Sequence, residues 1–446
     1  MSPARDAALR ALLRLRAAGG RMDDSLASFP ELEGLGERDR GLANELVNGT
    51  LKRRGSIDAV LGGFTKAPLS KTAGEVLEVL RLAAFQLLFL DRVPAYAAVD
   101  DAVAMAARQG RHTQGFVNAV LRKVAAEGRA SLADLAQGDG ARAWSVRHSC
   151  PVWLVRLLRR ELGDEAAARY LEAANAAPER CLRVNTLRAG LPEARAALTA
   201  AGYVTAGIPG LPAALTYEGP PLERSAPFAA GLVTPQSRGS QVAGLVALAG
   251  AGQGAAVLDL CAAPGTKTAQ LTAAAPALRV TAVDSDGARV AAMRANLRRL
   301  GVAADVVEAD VLELPDSYDA AFAAVLLDAP CSGLGTMASR PDLRWRRREA
   351  DVERLAQLQR RLLRRAARCV RPGGSLTYAV CTVPRAETVA VVDSLLAGGG
   401  WAVDDLGAAW PGLAHPAAGG YLLVLPPAHG ASGFFVARLR RSAAAE

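Results

Sequence analysis

The stretch LDLCAAPGTKT, residues 258–268, constrains the fold of this chain more than any other segment. Its apolar residues before Cys261 have the pattern of a buried strand, and Pro264 and Gly265 mark a tight turn that opens a helix. In an open α/β sheet, ligands bind outside the carboxyl ends of the strands, so this turn is predicted to line a ligand crevice. Because the stretch lacks the GxGxxG pattern, a dinucleotide is not the first expectation.

A repeat of strand, acid and helix continues from this stretch towards the carboxyl terminus. The acids at the ends of the predicted strands are Asp259, Asp284, Asp310 and Asp328. Their spacings of 25, 26 and 18 residues each fit one βα unit. One acid at a strand end is usually a turn former or a cap, but four in register predict a shared pocket. Such a pocket suits a ligand with a ribose and a cationic centre, and S-adenosylmethionine is such a ligand.

Length and composition limit the class of protein. A chain of 446 residues is expected to form two to three domains, and 51% hydrophobic with 22% charged residues indicates a globular protein. Without an 18-residue apolar run or a signal sequence, the chain is expected to be cytoplasmic with no membrane span. A net charge of +9 fits a polyanionic partner such as nucleic acid. The six cysteines form no CxxC and the four histidines have no ligand spacing, so no metal is expected.

The lysines are distributed unevenly. Only five of the 53 basic residues are lysine, and Lys267, in the turn after the first strand, is the only one beyond Lys123. A planar guanidinium does not replace the compact ammonium of lysine. Lys267 is therefore predicted to have a chemical role, with a solvated lysine at a helix start as the alternative.

Three regions are expected along the chain, separated by changes of pattern. Residues 1–127 show helical periodicity throughout, with a buried central helix at residues 75–90. Residues 128–146 are small and polar and are predicted to be a linker. Residues 147–235 are predicted to form a small α+β module, with LRVNTL as a strand, and residues 236–446 form the α/β domain. The last segment, GFFVARLRR, is predicted to be the strand that ends the sheet.

Two basic clusters are candidate RNA contacts. One is the loop before a long helix, RPDLRWRRR, where arginines around Trp345 suit phosphate contact with base stacking. The other is a possible basic face of the helical region, formed by Arg5, Arg10, Arg14, Lys52, Arg53 and Arg54. A solvated helix surface is an equal alternative for the second cluster.

Cys331 follows the fourth strand of the array and Cys381 follows the fifth. Because neighbouring strand ends meet at one edge of a sheet, both thiols are expected in one crevice. A thiolate that adds to carbon 6 of cytosine makes carbon 5 nucleophilic enough to accept a methyl group, and a base must then remove the carbon 5 proton. Asp328 is a candidate to hydrogen-bond the ring edge, and Lys267 to hold the base or lower a thiol pKa. The other cysteines are expected to be mainly small buried hydrophobes.

These segments resemble the RNA cytosine-C5 methyltransferases over about residues 235–440. The matching stretches are LDLCAAPGTKT, VDSD, EAD, LLDAPCSGLGT, RPDLRW and GGSLTYAVCT. ANELVNGTLKRRGSID, LRLAAFQLLFLDRVPAYAAVDDAV and GFVNAVLRKV in the front half look like a NusB-type RNA-binding domain. The combination is similar to the bacterial 16S rRNA (cytosine-C5) methyltransferases of the RsmB/Fmu/Sun type.

The resemblance implies a fold and a set of roles. The expected fold class is α/β, a Rossmann-like S-adenosylmethionine-dependent methyltransferase domain preceded by an all-α NusB-like domain and a small α+β module. The resemblance implies Cys381 as nucleophile and Cys331 for product release. For the cofactor it implies Asp284 at the ribose, Asp310 beside the adenine, the motif acid Asp328, and the loop Cys261, Ala262, Ala263, Pro264, Gly265, Thr266 and Lys267. The expected partner is 16S rRNA, naked or in an early assembly intermediate, bound by a monomer.

Departures from the family pattern are small, and three alternatives stay open. Thr382 follows the nucleophile position where the family usually has serine, Thr266 replaces a loop glycine, and the usual acid before GFF is absent. The alternatives are a non-catalytic RNA-binding or antitermination factor, methylation of tRNA or another RNA by the same chemistry, and DNA methylation. Intact thiols and an intact cofactor loop argue against the first.

Overall fold

The structure is a computed structural model that describes residues 2–17, 29–249, 251–426, 430 and 432–443. The chain forms two compact units. One comprises Met1–Ala177 and Met337–Glu349, and the other comprises Pro178–Thr336 and Ala350–Glu446. A short segment from late in the sequence therefore belongs to the amino-terminal unit. Within the described ranges, no helix has the length and apolarity needed to cross a membrane.

The first unit is helical. Its helices are α1 (Pro3–Ala17), α2 (Glu37–Phe64), α3 (Gly74–Phe89), α4 (Ala95–Ala106), α5 (Arg111–Leu135), α6 (Ala141–His148), α7 (Val152–Leu162) and α8 (Asp164–Ala173). The predicted central helix is confirmed as α3, which is buried on nearly all sides because apolar residues occupy every face. The predicted linker at 128–146 is wrong, since α5 continues through Leu135 and α6 begins at Ala141. Leu132 and Trp144 explain the difference, because both pack their apolar side chains inward.

The second unit begins with a small antiparallel sheet that has the strand order β2-β3-β1-β4. Its elements are β1 (Cys181–Val184), α9 (Leu191–Ala200), β2 (Val204–Ile208), β3 (Leu211–Glu218), α10 (Ala226–Ala229) and β4 (Val233–Pro235). The predicted strand LRVNTL is thus only partly a strand. Asn185 ends it, because its side-chain amide donates to the carbonyls of Gly231 and Leu300 at 2.9 and 2.8 Å.

The main sheet has eight strands and carries the predicted βα array. The strands are β5 (Ala256–Leu260), β6 (Arg279–Asp284), β7 (Asp305–Glu308), β8 (Phe322–Asp328), β9 (Val370–Val380), β10 (Trp401–Val403), β11 (Leu422–Val424) and β12 (Phe434–Arg441). The order is β10-β12-β9-β8-β5-β6-β7, with β11 paired to β12. β5 to β9 are parallel, whereas β12 is antiparallel to β9. The last strand therefore does not end the sheet, because β10 pairs with its outer edge.

Helices cover both faces of this sheet, as the near-continuous apolar strands require. They are α11 (Arg238–Leu248), α12 (Thr266–Ala274), α13 (Gly287–Leu300), α15 (Glu349–Cys369), α16 (Val389–Leu396) and α17 (Leu406–Ala409), and α14 (Leu343–Arg346) belongs to the helical unit. The order in which strands are added to the sheet switches sides at β5, which has β6 on one side and β8 on the other. Ligand crevices lie at such switch points, so the loops after β5 and β8 are placed to form a site.

Candidate active site at the carboxyl ends of the parallel strands

The loop after β5 has a backbone that only specific residues tolerate. Cys261 and Gly265 have positive φ angles of 57° and 85°. A Cβ atom on Gly265 would lie 2.8 Å from the Cγ of Met293, so a side chain at this position would force Met293 on α13 to move. The amide of Ala262 donates to the Val283 carbonyl at 3.0 Å and fixes the loop beside the end of β6.

Asp284, the last residue of β6, is bound to this loop. Asp284 is 2% exposed, and its carboxylate accepts hydrogen bonds from the Ala263 amide at 3.1 Å and from the Asp286 amide at 3.3 Å. Arg289 lies 3.4 Å from the same carboxylate and donates to the Ala263 carbonyl at 2.8 Å. The acid at the end of the second strand is therefore held against the loop that the sequence assigns to the cofactor.

The acids create a negative potential at the loop. Burial, followed by the nearby carboxylates of Asp284, Asp328 and Asp259, raises the pKa of Cys261 to about 12. A negative potential beside this turn suits a ligand that combines a sulfonium with hydroxyl groups. The residues present thus fit S-adenosylmethionine, with Cys261–Lys267 and Asp284 as the groups that would hold it.

Asp259 and Asp310 differ from the other two strand-end acids. Asp259 is 0% exposed, and its carboxylate accepts from the Thr268 hydroxyl at 2.7 Å, which joins β5 to α12. Burial raises the pKa of Asp259 to about 7. Asp310 is exposed and caps a short turn by accepting from the Leu312 amide at 2.8 Å, so its place beside an adenine stays a prediction. Among the described residues, no group of three or more His, Cys, Asp or Glu could hold a metal ion.

Lys267 and Asp328 form an ion pair across the switch point. The Lys267 Nζ lies 2.5 Å from Oδ2 of Asp328, and their side chains are 8% and 30% exposed. The same ammonium lies 5.5 Å from the ring centroid of Phe434. The lysine that is isolated in the sequence is therefore placed on the acid at the end of β8, with that acid still partly open.

The two predicted thiols lie together, as the strand order requires. β8 and β9 are adjacent and parallel, with Asp328 opposite Ala379, and the Sγ atoms of Cys331 and Cys381 are 3.4 Å apart. The hydrogen bond with Cys381 and burial raise the pKa of Cys331 well above its ordinary value. These surroundings favour the protonated form of Cys331.

A glycine lets the backbone approach Cys381 closely. The amide of Gly335 donates to the Cys381 carbonyl at 3.1 Å, and its carbonyl accepts from the Gly433 amide at 2.7 Å. A Cβ atom on Gly335 would lie 2.0 Å from the Gly433 carbonyl oxygen and 2.8 Å from that of Cys381. Any side chain at this position would push Cys381 away from its place.

The sequence interpretation missed a buried polar cluster beneath the thiols. Glu387 accepts from the Ser332 amide at 2.8 Å, from Gln359 Nε2 at 3.0 Å and from the Thr382 hydroxyl at 3.4 Å. Ser332 and Thr382 are the residues that directly follow the two cysteines. Only their adjacency to Cys331 and Cys381 could have drawn attention to them, and nothing in the sequence pattern separates Glu387 from a surface acid.

The structure contradicts an RNA contact for one arginine of the arginine-rich loop, Arg344, whereas the stacking role of Trp345 stays a prediction. Arg344 is 0% exposed and lies inside the helical unit, where it donates to the Ser149 and Ala174 carbonyls at 3.3 and 2.7 Å. Trp345 donates from Nε1 to the Leu51 carbonyl at 2.9 Å. Both side chains therefore tie residues 337–349 to main-chain carbonyls of the helical unit.

The possible basic face of the helical unit is also largely paired. Arg5 lies 2.8 Å from Asp101, and Lys52 donates to the Ala176 carbonyl at 2.5 Å. Burial and the nearby Arg344 and Arg53 charges lower the pKa of Lys52 to about 8. These two cations therefore contribute to the helical fold, and the structure does not place the six residues as one free surface.

Comparison with known proteins gives three family models that match the chain in succession. The NusB family matches residues 2–126, and the ferredoxin-like domain of RsmF/B-like methyltransferases matches residues 150–222. The 16S rRNA methyltransferase RsmB/F model matches residues 246–440. The predicted order of an all-α NusB-like domain, a small α+β module and a Rossmann-like methyltransferase domain is confirmed.

Curated relatives span most or all of the chain. A putative methyltransferase of Mycobacterium tuberculosis is 36% identical over 456 aligned residues, covering 99% of this chain and 97% of that protein. Ribosomal RNA small subunit methyltransferase B of Sodalis glossinidius is 35% identical and covers 83% of this chain and 84% of its own. The enzyme of the same name from Xanthomonas campestris is 36% identical over 80% of each chain.

Solved structures have the same fold. The crystal structure of PH0851 superposes with a TM-score of 0.83 at 24% identity, covering 99% of each chain. A methyltransferase homologue from Pyrococcus horikoshii gives a TM-score of 0.60 at 26% identity over 68% of this chain and 100% of its own. The fold matches these structures, the site fits the cofactor, and curated relatives are more than 30% identical along most of the chain. The chain therefore belongs to the 16S rRNA methyltransferase RsmB/F family and is an S-adenosylmethionine-dependent methyltransferase.

Proposed function

We propose that this protein methylates carbon 5 of a cytosine in 16S rRNA through a covalent bond between Cys381 and carbon 6. The observation that carries the proposal is the 3.4 Å separation of the Cys331 and Cys381 Sγ atoms at the ends of adjacent strands. Two thiols at this distance allow one sulfur to attack carbon 6 and the other to assist when the first sulfur leaves. The relatives named for the small ribosomal subunit RNA support 16S rRNA as substrate.

The reaction begins once the target base has left its stack. The Cys381 thiolate forms a bond to carbon 6, and negative charge moves onto the pyrimidine ring. The ring is then nucleophilic at carbon 5, which takes the methyl group; the bound cofactor supplies that group in a sulfonium-activated form. The carbon 5 proton passes to solvent water, the bond from sulfur to carbon 6 breaks, and Cys381 leaves as a thiolate.

The neighbouring groups stabilise charge at each stage. The Lys267 ammonium, 2.5 Å from Asp328, offers a positive charge to the ring while the Asp328 carboxylate accepts from its exocyclic amine. The Cys331 thiol keeps its proton because its pKa is raised well above the ordinary value. It can therefore donate a hydrogen bond to the departing Cys381 thiolate, which is the role in product release proposed for it.

Transfer of labelled methyl to unmodified 16S rRNA, with the modified base mapped, tests the proposal. We expect Cys381→Ala to abolish transfer and to form no adduct. We expect Cys331→Ala to accumulate an RNA–protein species that survives a denaturing gel. Cys369→Ala is the matched control, because it removes a buried thiol at the end of α15.

Each outcome has a defined reading. Methyl found at another atom, or full activity in Cys381→Ala, would contradict the mechanism, and the reverse pattern of adducts would exchange the two roles. Naked 16S rRNA, an early assembly intermediate and tRNA are offered in parallel, because the proposal expects the rRNA forms to be the better substrates. A single-turnover assay with the protein as a monomer completes the test, since the proposed site uses groups from one chain.

A further inference from the structure

Glu387 is a buried acid in the turn that follows Cys381. Glu387 is 0% exposed, and its carboxylate accepts hydrogen bonds from the neutral groups of Ser332, Gln359 and Thr382. A carboxylate held by neutral donors in the protein interior is costly, since burial penalises its charge. Burial accordingly raises the pKa of Glu387. A residue that only filled this space would not need to be an acid.

The bonds of Glu387 bind both cysteine loops to one point. Its Oε1 accepts from the amide of Ser332, the residue after Cys331, and its Oε2 accepts from the hydroxyl of Thr382, the residue after Cys381. The Ser332 and Thr382 hydroxyls lie 2.7 Å apart and close a ring of three groups.

Gln359 on α15 fixes the same loop from the other side. Its Nε2 donates to the Glu387 carboxylate at 3.0 Å and to the Pro330 carbonyl at 2.9 Å. The chain is therefore held immediately before Cys331, at Pro330, and immediately after it, at Ser332. The two thiols have little freedom to separate while this cluster is intact.

We propose that Glu387 is a positioning residue that sets the separation of the two thiols, acting through Ser332 and Thr382. The catalytic meaning of this inference rests on the function proposed above. The geometry itself is independent of that function, because the hydrogen bonds that fix the two loops do not depend on the reaction.

Binding of phenylarsine oxide tests the geometry without methyl transfer. The arsenic of this reagent bonds two neighbouring thiols and releases water, so tight binding requires sulfurs a few ångströms apart. We expect Glu387→Ala to weaken binding about tenfold or more, since the second thiol loses its effective concentration. Glu387→Gln keeps an acceptor for Ser332 and Gln359, and it should bind the arsenical within about threefold of wild type. Wild-type affinity in Glu387→Ala would overturn the inference.

Activity assays test the catalytic consequence. In Glu387→Ala we expect kcat to fall about 30- to 100-fold while KM for RNA stays within about twofold, because misplaced thiols affect reaction rather than binding. A Glu387→Ala variant that keeps the wild-type kcat would overturn the catalytic consequence.

Controls separate failure of this inference from failure of the proposed function. Glu353→Ala removes an exposed acid on α15 and should change neither readout. If Glu387→Ala does not fold, Thr382→Val removes only one hydroxyl of the ring and should weaken arsenical binding in the same direction. If Cys381→Ala retains transfer, the proposed function fails, and the arsenical result still decides whether Glu387 positions the thiols.

Discussion

Two buried cations, one in each unit, serve different purposes. Arg344 is 0% exposed and donates to carbonyl and amide oxygens, including Asn175 Oδ1 at 2.7 Å. Among the described residues, Lys267 forms an ion pair with one carboxylate, that of Asp328, whose side chain remains 30% exposed. A cation with no exposed surface that donates to several oxygens of its own unit has no capacity left for a substrate. A cation paired with one accessible acid keeps that capacity, so the number of partners separates structure from chemistry here.

Replacement of Arg344 should have the largest effect, and the effect should be on stability. Arg344→Ala leaves the carbonyls of Ser149 and Ala174 and the amide of Asn175 without their donor. We expect the unfolding free energy of the helical unit to fall by roughly 3–5 kcal/mol. Urea unfolding followed by circular dichroism measures this loss. Lower kcat per folded molecule with unchanged stability would break the comparison.

Replacement of Lys267 should affect catalysis instead. We expect Lys267→Ala to lower the rate of single-turnover methyl transfer about 100-fold, equal to ~2.7 kcal/mol, because a charge that stabilises the ring is lost. Lys267→Arg should rescue little, since a guanidinium does not reproduce a compact donor on Asp328. Arg344→Lys in the same assay serves as the matched exchange of a buried cation. Full rescue by Lys267→Arg would show that only charge matters at this position.

Asp259, a third buried charged residue, should make the unfolding free energy depend on pH. Its folded pKa of about 7 lies above the ordinary 3.8, so the folded chain keeps a proton that the unfolded chain releases between these values. The unfolding free energy of wild type should therefore fall as pH rises through this window, by about 2 kcal/mol between pH 5 and pH 8. Asp259→Asn cannot ionise and should lack this fall. Urea midpoints at the two pH values measure it, and parallel curves for both proteins would refute it.

Trp345 should have the smallest effect. Trp345→Phe loses the hydrogen bond to the Leu51 carbonyl and should cost about 1 kcal/mol of stability. RNA binding is expected to weaken steeply as salt rises, because phosphate contacts release counterions. The slope of this salt dependence should be the same in wild type and Trp345→Phe, as measured by filter binding at several salt concentrations. A weaker affinity at every salt concentration would instead restore Trp345 as a stacking surface.

Much of the second unit could be predicted from local pattern. The predicted acids lie at the ends of three strands, since β6 and β8 end at Asp284 and Asp328 and Asp259 is the penultimate residue of β5. The reason is that a parallel strand buried on both faces requires an apolar run, and its end requires a polar turn. The pairing of Cys331 with Cys381 also followed, because it depends only on which strands are neighbours.

Errors arose where distant parts of the chain meet. The segment 337–349 has the composition of an RNA contact, but it folds into the helical unit, and β12 enters the sheet between β9 and β10. Asp259 and Asp284 have the same place at a strand end, yet only contact with Thr268 makes Asp259 a link within the fold. Partners of this kind are separated along the chain by distances that local pattern does not encode.

The sequence by itself determined the βα array, the order of its acids and the two cysteines that follow neighbouring strands. It did so because strand period, turn chemistry and strand-end position are local properties. Only the tertiary structure decided which charged groups are buried within the fold and which remain available to a substrate. Arg344, Lys267 and Glu387 are all charged residues in polar sequence, and their roles differ because burial and hydrogen-bond partners are set by packing of the whole chain.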